Sequence, residues 1–251
     1  MDGLIIAAGY GSRLRDISDS KPLTPVAGVP LLEIGVRQAV AAGVERVVVV
    51  TGHHAVEIEK FLPGLSARVG VPVMSERVTH WSTPNGHSVI AGAARIAQIG
   101  GGDYLLMMAD HIFEASILQR LVKQGTKSRG VTLAIDRRTA NPLVDPEDAT
   151  WVKTDADGRI DMIGKTIADY DAVDCGAFLA THELAEAIHA AIAEGKAGSL
   201  SEGMQRLADA GRAATMDIGD AWWLDVDDAR AHALAEAEAP KHLPEIFALA
   251  G

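Results

Sequence analysis

Residues 4–14 limit what this chain can fold into more than any other stretch. Leu4-Ile5-Ile6-Ala7-Ala8 is a short apolar run bounded by glycine, which reads as a buried strand. Gly9-Tyr10-Gly11-Ser12-Arg13-Leu14 follows directly. Gly9 and Gly11 allow backbone conformations closed to other residues and a close approach to a ligand. Successive N–H groups in such a turn form a concave anion site. Arg13, Arg15 and Lys21 set cations beside it. A core strand has no use for them, whereas a polyphosphate does, so the stretch reads as a nucleoside-triphosphate cradle.

Two familiar phosphate motifs fail on the same chain. The dinucleotide fingerprint needs a third glycine where Leu14 stands, and no acidic residue follows at the right distance near Val50-Thr51-Gly52. A P-loop ending in Gly164-Lys165-Thr166 would need its first glycine at Arg159, and Gly158 is one place early. His182-Glu183 begins a zinc-protease pattern, but Glu186 occupies the place of the second histidine.

The cation cluster stands out because the chain is acidic, with 23 Lys and Arg against 34 Asp and Glu, a formal charge of −11. Such a surface repels nucleic acid and anionic membranes, so neither is an expected partner. A single cysteine, Cys175, excludes an internal disulfide and cysteine-rich zinc sites. Met1-Asp2-Gly3 lacks the basic start of a secretory signal, and no apolar run reaches the length of a membrane span. The expectation is a soluble, cytoplasmic protein whose 251 residues form one α/β domain.

Strand-like and helix-like segments alternate along the chain. Leu31 to Ala42 has helical spacing, with Pro30 at its first position. Glu45 to Val50 and Val71 to Ser75 read as strands, with a helix between them ending near Pro63-Gly64. His53 and His54 find no completed metal-ligand spacing. A polar loop, Glu76 to His87, contains the turn signal Pro84-Asn85-Gly86 before a helix from Ser88. Asp103 to Ala109 is a fourth strand that delivers Asp110 and His111 at its carboxyl end, the edge where open α/β sheets bind ligands. Asp110 there suits a magnesium ion or, alternatively, a helix N-cap. Val131 to Arg137 is a fifth strand. Trp151 to Thr154 and Arg159 to Ile163 flank the turn Asp155-Ala156-Asp157-Gly158 as a hairpin, within a substrate-side subregion of about 141–180. Near the end, Asp225 and Asp227 alternate by two and share one face of an extended segment, unless they only cap the alanine-rich helix that runs on to Glu238.

The residues Ala7-Ala8-Gly9-Tyr10-Gly11-Ser12-Arg13-Leu14, Lys21-Pro22-Leu23 and Pro25-Val26-Ala27-Gly28-Val29-Pro30-Leu31 resemble the signature of the nucleotidylyltransferases that join a nucleoside triphosphate to a sugar, choline or inositol phosphate. Many relatives have Pro-Lys where this chain has Lys21-Pro22. Met108-Ala109-Asp110-His111-Ile112-Phe113 looks especially like the inositol-phosphate cytidylyltransferases. The resemblance implies a Rossmann-like three-layer sandwich with a mixed, mostly parallel central sheet. It implies CTP held by Ala7, Ala8, Gly9, Gly11, Ser12, Arg13 and Lys21, with the base beside Asn85, Gly86 and Ser88. Glu76 falls on the nucleotide side too, at a position where relatives often have an asparagine. By the same resemblance Asp110, Asp225 and Asp227 hold Mg2+, and His111, Lys165 and Asp174 face the acceptor. Asp at 228 replaces the threonine of many relatives.

That set of residues fits the chemistry. A phosphate monoester carries between one and two negative charges at neutral pH and is already a nucleophile. It needs positioning and charge neutralisation rather than a general base. The implied reaction moves a cytidylyl group from CTP to inositol 1-phosphate, giving CDP-inositol and pyrophosphate for phospholipid biosynthesis. A separate membrane transferase would then consume CDP-inositol. The rivals are transfer to phosphocholine, an aminoalkylphosphonate or a sugar 1-phosphate, a metal-dependent glycosyltransferase, and a non-catalytic nucleotide sensor.

Overall fold

The computed structural model of the chain describes residues 1–14, 17–126 and 130–248. The first half runs β1 (Asp2–Ala7), β2 (Pro25–Val26), β3 (Val29–Pro30), α1 (Leu31–Ala41), β4 (Arg46–Thr51), α2 (Ala55–Val69), β5 (Val73–Arg77) and α3 (Gly86–Gln98). Then come β6 (Tyr104–Met108), β7 (His111–Phe113), α4 (Ala115–Gln124), β8 (Val131–Asp136), β9 (Trp151–Thr154), β10 (Ile160–Gly164) and β11 (Ala172–Ala180). The chain continues with α5 (His182–Ala193), α6 (Leu200–Asp209), β12 (Ala213–Asp217), β13 (Trp223–Asp225), α7 (Ala229–His242) and α8 (Pro244–Phe247).

Nine of these strands form one mixed sheet. β5, β4, β1 and β6 lie side by side in parallel. β11 pairs antiparallel with β6, β8 and β9, while β12 is parallel to β8 and β10 antiparallel to β9. β10 and β11 therefore run against the other seven, and the sheet is mostly parallel as expected. The predicted hairpin, β9 and β10, extends this sheet.

Alternation along β1 divides the interior into two layers. Ile5 and Ala7 face one side with Val47, Val49 and residues of α1, α2 and α4. Leu4, Ile6 and Ala8 face the other with Val48, Val50 and residues of α3, α5 and α6. Both faces of the central strands are covered, which is why β1 and β4 read as unbroken apolar runs. A third cluster joins α7 and α8 to Leu14, Val26, Ile112 and Leu224.

Three boundaries differ from the sequence expectations. α2 passes through Pro63 and Gly64 to Val69, because Ile58, Leu62 and Leu65 are buried on one stripe and outweigh the lost backbone bond. α7 likewise passes Pro240 to His242, anchored by buried Ala235 and Ala239. β5 extends to Arg77, so Glu76 is a strand residue paired with Val50 rather than part of the following loop.

Candidate active site

The site is built where three distant pieces of chain meet at the end of β1. The β1–β6 pairing continues as Ala109 N–H donating to Ile6 O at 3.1 Å, which brings Asp110 beside the glycine turn. A small ribbon then imports the C-terminal acids, since β13 pairs antiparallel with β7 and sets Asp225 opposite His111. Val226 N–H donates to Asp110 O at 2.9 Å and fixes Asp227 next to Asp110. Trp223 anchors the ribbon by donating its Nε1–H to the buried Asp136 carboxylate at 2.9 Å.

The turn itself is shaped for this meeting. Gly11 has φ +58°, and a Cβ there would stand 2.6 Å from Lys21 Cβ, so the position is closed to side chains twice over. Around Gly9 nothing lies within 4 Å of the position a Cβ would take, so its bareness opens space along the cleft. Lys21 sits in a 3-10 turn, Lys21–Leu23, with its side chain only 8% exposed. Its Nζ donates to Asp110 Oδ2 at 2.6 Å and also to Asp227 Oδ1. The Lys-Pro order therefore still delivers the amine to the acids. Arg13 pairs with Asp227 and donates to Asp148 Oδ2 at 2.6 Å. Arg15 lies outside the described residues, as does the side chain of Ser12.

Two adjoining hollows of about 240 and 370 Å³ share Arg13, Asp110 and Asp227. The smaller is lined by Ala7, Gly9, Gly11 and Lys21, and the larger by Asn85, His111, Lys165, Asp174 and Asp225. The structure thus brings most of the expected residues to one cleft. Ala8 is buried under it, its carbonyl accepting from His53 N–H. Glu76, Gly86 and Ser88 do not line either hollow. A Cβ on Gly86 would lie 2.3 Å from Gly198 O, so this glycine serves the packing of α3 against the turn before α6. Ser88 is buried in the first turn of α3. Asn85 lines the larger hollow, yet its Oδ1 accepts from Leu200 N–H at the start of α6. Asp110 is no helix cap, because α4 begins at Ala115.

Burial and charge set the state of the acids. Burial alone would raise the Asp110 carboxyl, but the Lys21 ammonium and His111 hold it well below the usual carboxylate range. His111 stacks on Trp223 and donates Nδ1–H to Asp110 Oδ1 at 2.8 Å. Burial opposes its charge, but Asp225 and Asp110 prevail and push the imidazole up to about 9. Asp225 is raised, first by burial and then by the Asp110 charge. Its Oδ1 is buried and accepts no hydrogen bond from any described residue. An orphaned carboxylate oxygen among acids is the position a divalent cation would complete. Ligand atoms of Asp110, His111 and Asp225 lie within 4.8 Å of one another, as do those of Asp148, Asp225 and Asp227. The second group offers carboxylate oxygens alone, the hard donors that suit Mg2+.

Sequence reasoning missed Asp148 and an aromatic group beside the turn. Tyr10 stacks on Trp81 at 5.7 Å and 6°, with His53 tilted against both. Gly52 makes room for it, since a Cβ there would meet Trp81 Cβ at 2.5 Å. The signal lay in Gly52, two residues past a strand's last apolar position, next to His53.

Asp174 gives a pH-dependent prediction. Burial pushes its carboxyl up to about 6, against a bond from Gly176 N–H at 2.7 Å. An acid raised on folding leaves stability complete below about pH 4; it is lost as pH rises from about 4 to about 6, and the cost stays constant above that. Asp174→Asn keeps the acceptor oxygen and removes the charge. It should stabilise the protein by about 2 kcal/mol at pH 7.5 and leave it unchanged at pH 4. Denaturant titrations at the two pH values check this, and equal effects at both would contradict it.

Comparison with known proteins sets this chain and its fold in a wider group. The bifunctional IPC transferase and DIPP synthase of Rubrobacter xylanophilus is 33% identical over 189 residues, covering 74% of this chain and 40% of that protein. The protein of the same name from Aquifex aeolicus is 31% identical over 206 residues, covering 81% and 44%. This chain thus spans about two fifths of the length of these relatives. The structure of the inositol-1-phosphate CTP transferase from T. maritima shares the fold with a TM-score of 0.78 at 22% identity, covering 99% of this chain and 95% of that one. A family model for the MobA-like NTP transferase domain matches residues 3–216, from β1 through β12, and the chain belongs to that family.

Proposed function

We propose that the protein transfers a cytidylyl group from CTP to inositol 1-phosphate, with Mg2+, releasing CDP-inositol and pyrophosphate. The observation that carries this reading is the shared set Arg13, Asp110 and Asp227 between a glycine-walled hollow and a larger acceptor hollow. The glycine turn holds the triphosphate, and Lys21 and Arg13 offset its charge. Lys165 holds the acceptor phosphate, and His111 and Asp174 meet its hydroxyls. An acceptor phosphate oxygen bonds to the α-phosphorus while the bond from that phosphorus to the β-bridging oxygen breaks. The electron pair leaves with pyrophosphate, and no proton transfer is needed. Asp110, Asp225 and Asp227 would hold Mg2+, which when bound supplies charge neutralisation at the phosphates.

The inositol phosphate named for the T. maritima protein supports this acceptor. The acids Asp145, Asp174 and Asp228 around the larger hollow favour a second reading, a phosphorylated acceptor that carries a cationic group, such as phosphocholine or an aminoalkylphosphonate. A pyrophosphate-release screen of these acceptors and sugar 1-phosphates, with CTP and UTP and with Mg2+ present or chelated, decides between them. Inositol 1-phosphate with CTP should give the highest kcat/KM, and chelation should stop release. Activity only with a cationic acceptor would move the assignment to the second reading, and sugar transfer without pyrophosphate would overturn both.

A further inference from the structure

Asp148 touches one cation from each side of the cleft. Its Oδ2 accepts from Arg13 Nη2 at 2.6 Å, and its Oδ1 accepts from Lys165 Nζ at 2.5 Å. Arg13 leaves the glycine turn after β1, whereas Lys165 follows β10 on the opposite wall. Both are cations for phosphates, and like charges brought this close repel. A carboxylate between them offsets that repulsion and fixes their separation through two oxygens of one group. Burial alone would raise the Asp148 carboxyl, but Lys165 and Arg13 draw it below the usual range.

The contact belongs to a longer alternation of charge. Asp110, Lys21, Asp227, Arg13, Asp148 and Lys165 follow one another as paired neighbours across the cleft. Arg13 has a second acid in Asp227, but Lys165 pairs with no other acid among the described residues. Asp148 is therefore what ties the acceptor-side cation to the rest.

We propose that Asp148 is a positioning residue that sets the spacing between the nucleotide-side and acceptor-side phosphate cations, and so brings the acceptor oxygen into line with the α-phosphorus. This rests on the nucleotidyl-transfer reading above. Asp148 takes no part in the bond changes, and each of its oxygens is held by one of the two cations.

Two consequences separate spacing from a merely structural role. A carboxylate beside two phosphate-holding cations weakens their grip on anions, so removing its charge leaves ground-state binding unchanged or tighter. Loss of the spacing slows only the reaction, and misplacement of about 1 Å can cost about 10²-fold. The side chains of Arg13, Asp148 and Lys165 are 47%, 27% and 58% exposed, so these pairs add little to stability.

The test uses Asp148→Asn and Asp148→Glu in the full chain, with Mg2+, CTP and whichever acceptor the wild type turns over. Asp148→Asn should lower kcat about 30-fold or more, without raising KM for either substrate. Its melting temperature should stay within about 3 °C of wild type. Calorimetry with Mg2+ and CTP alone should give a Kd equal to or below that of the wild type. Asp148→Glu, which keeps the charge on a longer arm, should recover kcat to within about tenfold of wild type. A kcat for Asp148→Asn within threefold of wild type, or a CTP Kd that weakens in step with kcat, would overturn the proposal. If the wild type turns over no acceptor, the reading of function fails, and with it this proposal, while a CTP Kd weakened in Asp148→Asn separately overturns the spacing role.

Discussion

Lys21→Met should lower turnover about 10³-fold or more, the loss seen when one preorganised donor to a developing charge is removed. The ammonium is nearly buried and bonds Asp110 and Asp227 together, so its removal leaves Asp110 to His111 and Asp227 to Arg13, with no cation between the two carboxylates. Breaking a buried pair in this way should destabilise the ligand-free protein by about 3 kcal/mol. The same hollow then has one fewer competitor for a divalent ion. Added Mg2+ should therefore raise the melting temperature of Lys21→Met more than that of wild type. Pyrophosphate release and thermal melts with and without Mg2+ measure both effects. A kcat within tenfold of wild type, or a melt that ignores Mg2+, would remove Lys21 from the centre of the site.

Asp225→Asn should separate stability from activity. The carboxylate is held among Asp110, Asp148 and Asp227 with one oxygen buried and unbonded. Neutralising it gives up the attraction to His111, but the burial penalty and the repulsion from Asp110 and Asp148 outweigh that attraction, so the ligand-free protein should melt at a higher temperature. Turnover at saturating CTP should fall about 10³-fold, because the charge proposed to hold the cation is gone. Mn2+ titration followed by electron paramagnetic resonance should show weaker binding in the variant. Lower stability combined with unchanged Mn2+ affinity would assign Asp225 a structural role instead.

Much of this cleft was legible because its signals are local. The apolar run before Gly9 and Gly11 names a strand and a turn within eleven residues, and Asp110 follows a strand whose end has only one place to point. Asp225 and Asp227 were legible from their two-residue alternation. What stayed hidden depends on contacts far apart in the chain. The pairing of β7 with β13 joins segments more than a hundred residues apart, and nothing in a three-residue strand announces its partner. Asp148 lies in an irregular loop among other acids, where spacing carries no information. Gly86 looked like a ligand-side glycine, yet the residue it makes room for is Gly198. α2 outran Pro63 because tertiary burial overrode a local stop signal.

The ribbon of β7 and β13 has a consequence for changes in chain length. Trp223 and Asp225 face His111, while Leu224 points the opposite way with Ile112 into the apolar cluster under α7. Side chains in a strand alternate with period two, so parity matters more than distance. Gaining or losing one residue inside β13 would turn an isoleucine-lined wall toward a carboxylate and offer leucine to the cleft. Gaining two would restore the facing, which makes the odd-numbered change the graver lesion although it is the smaller one.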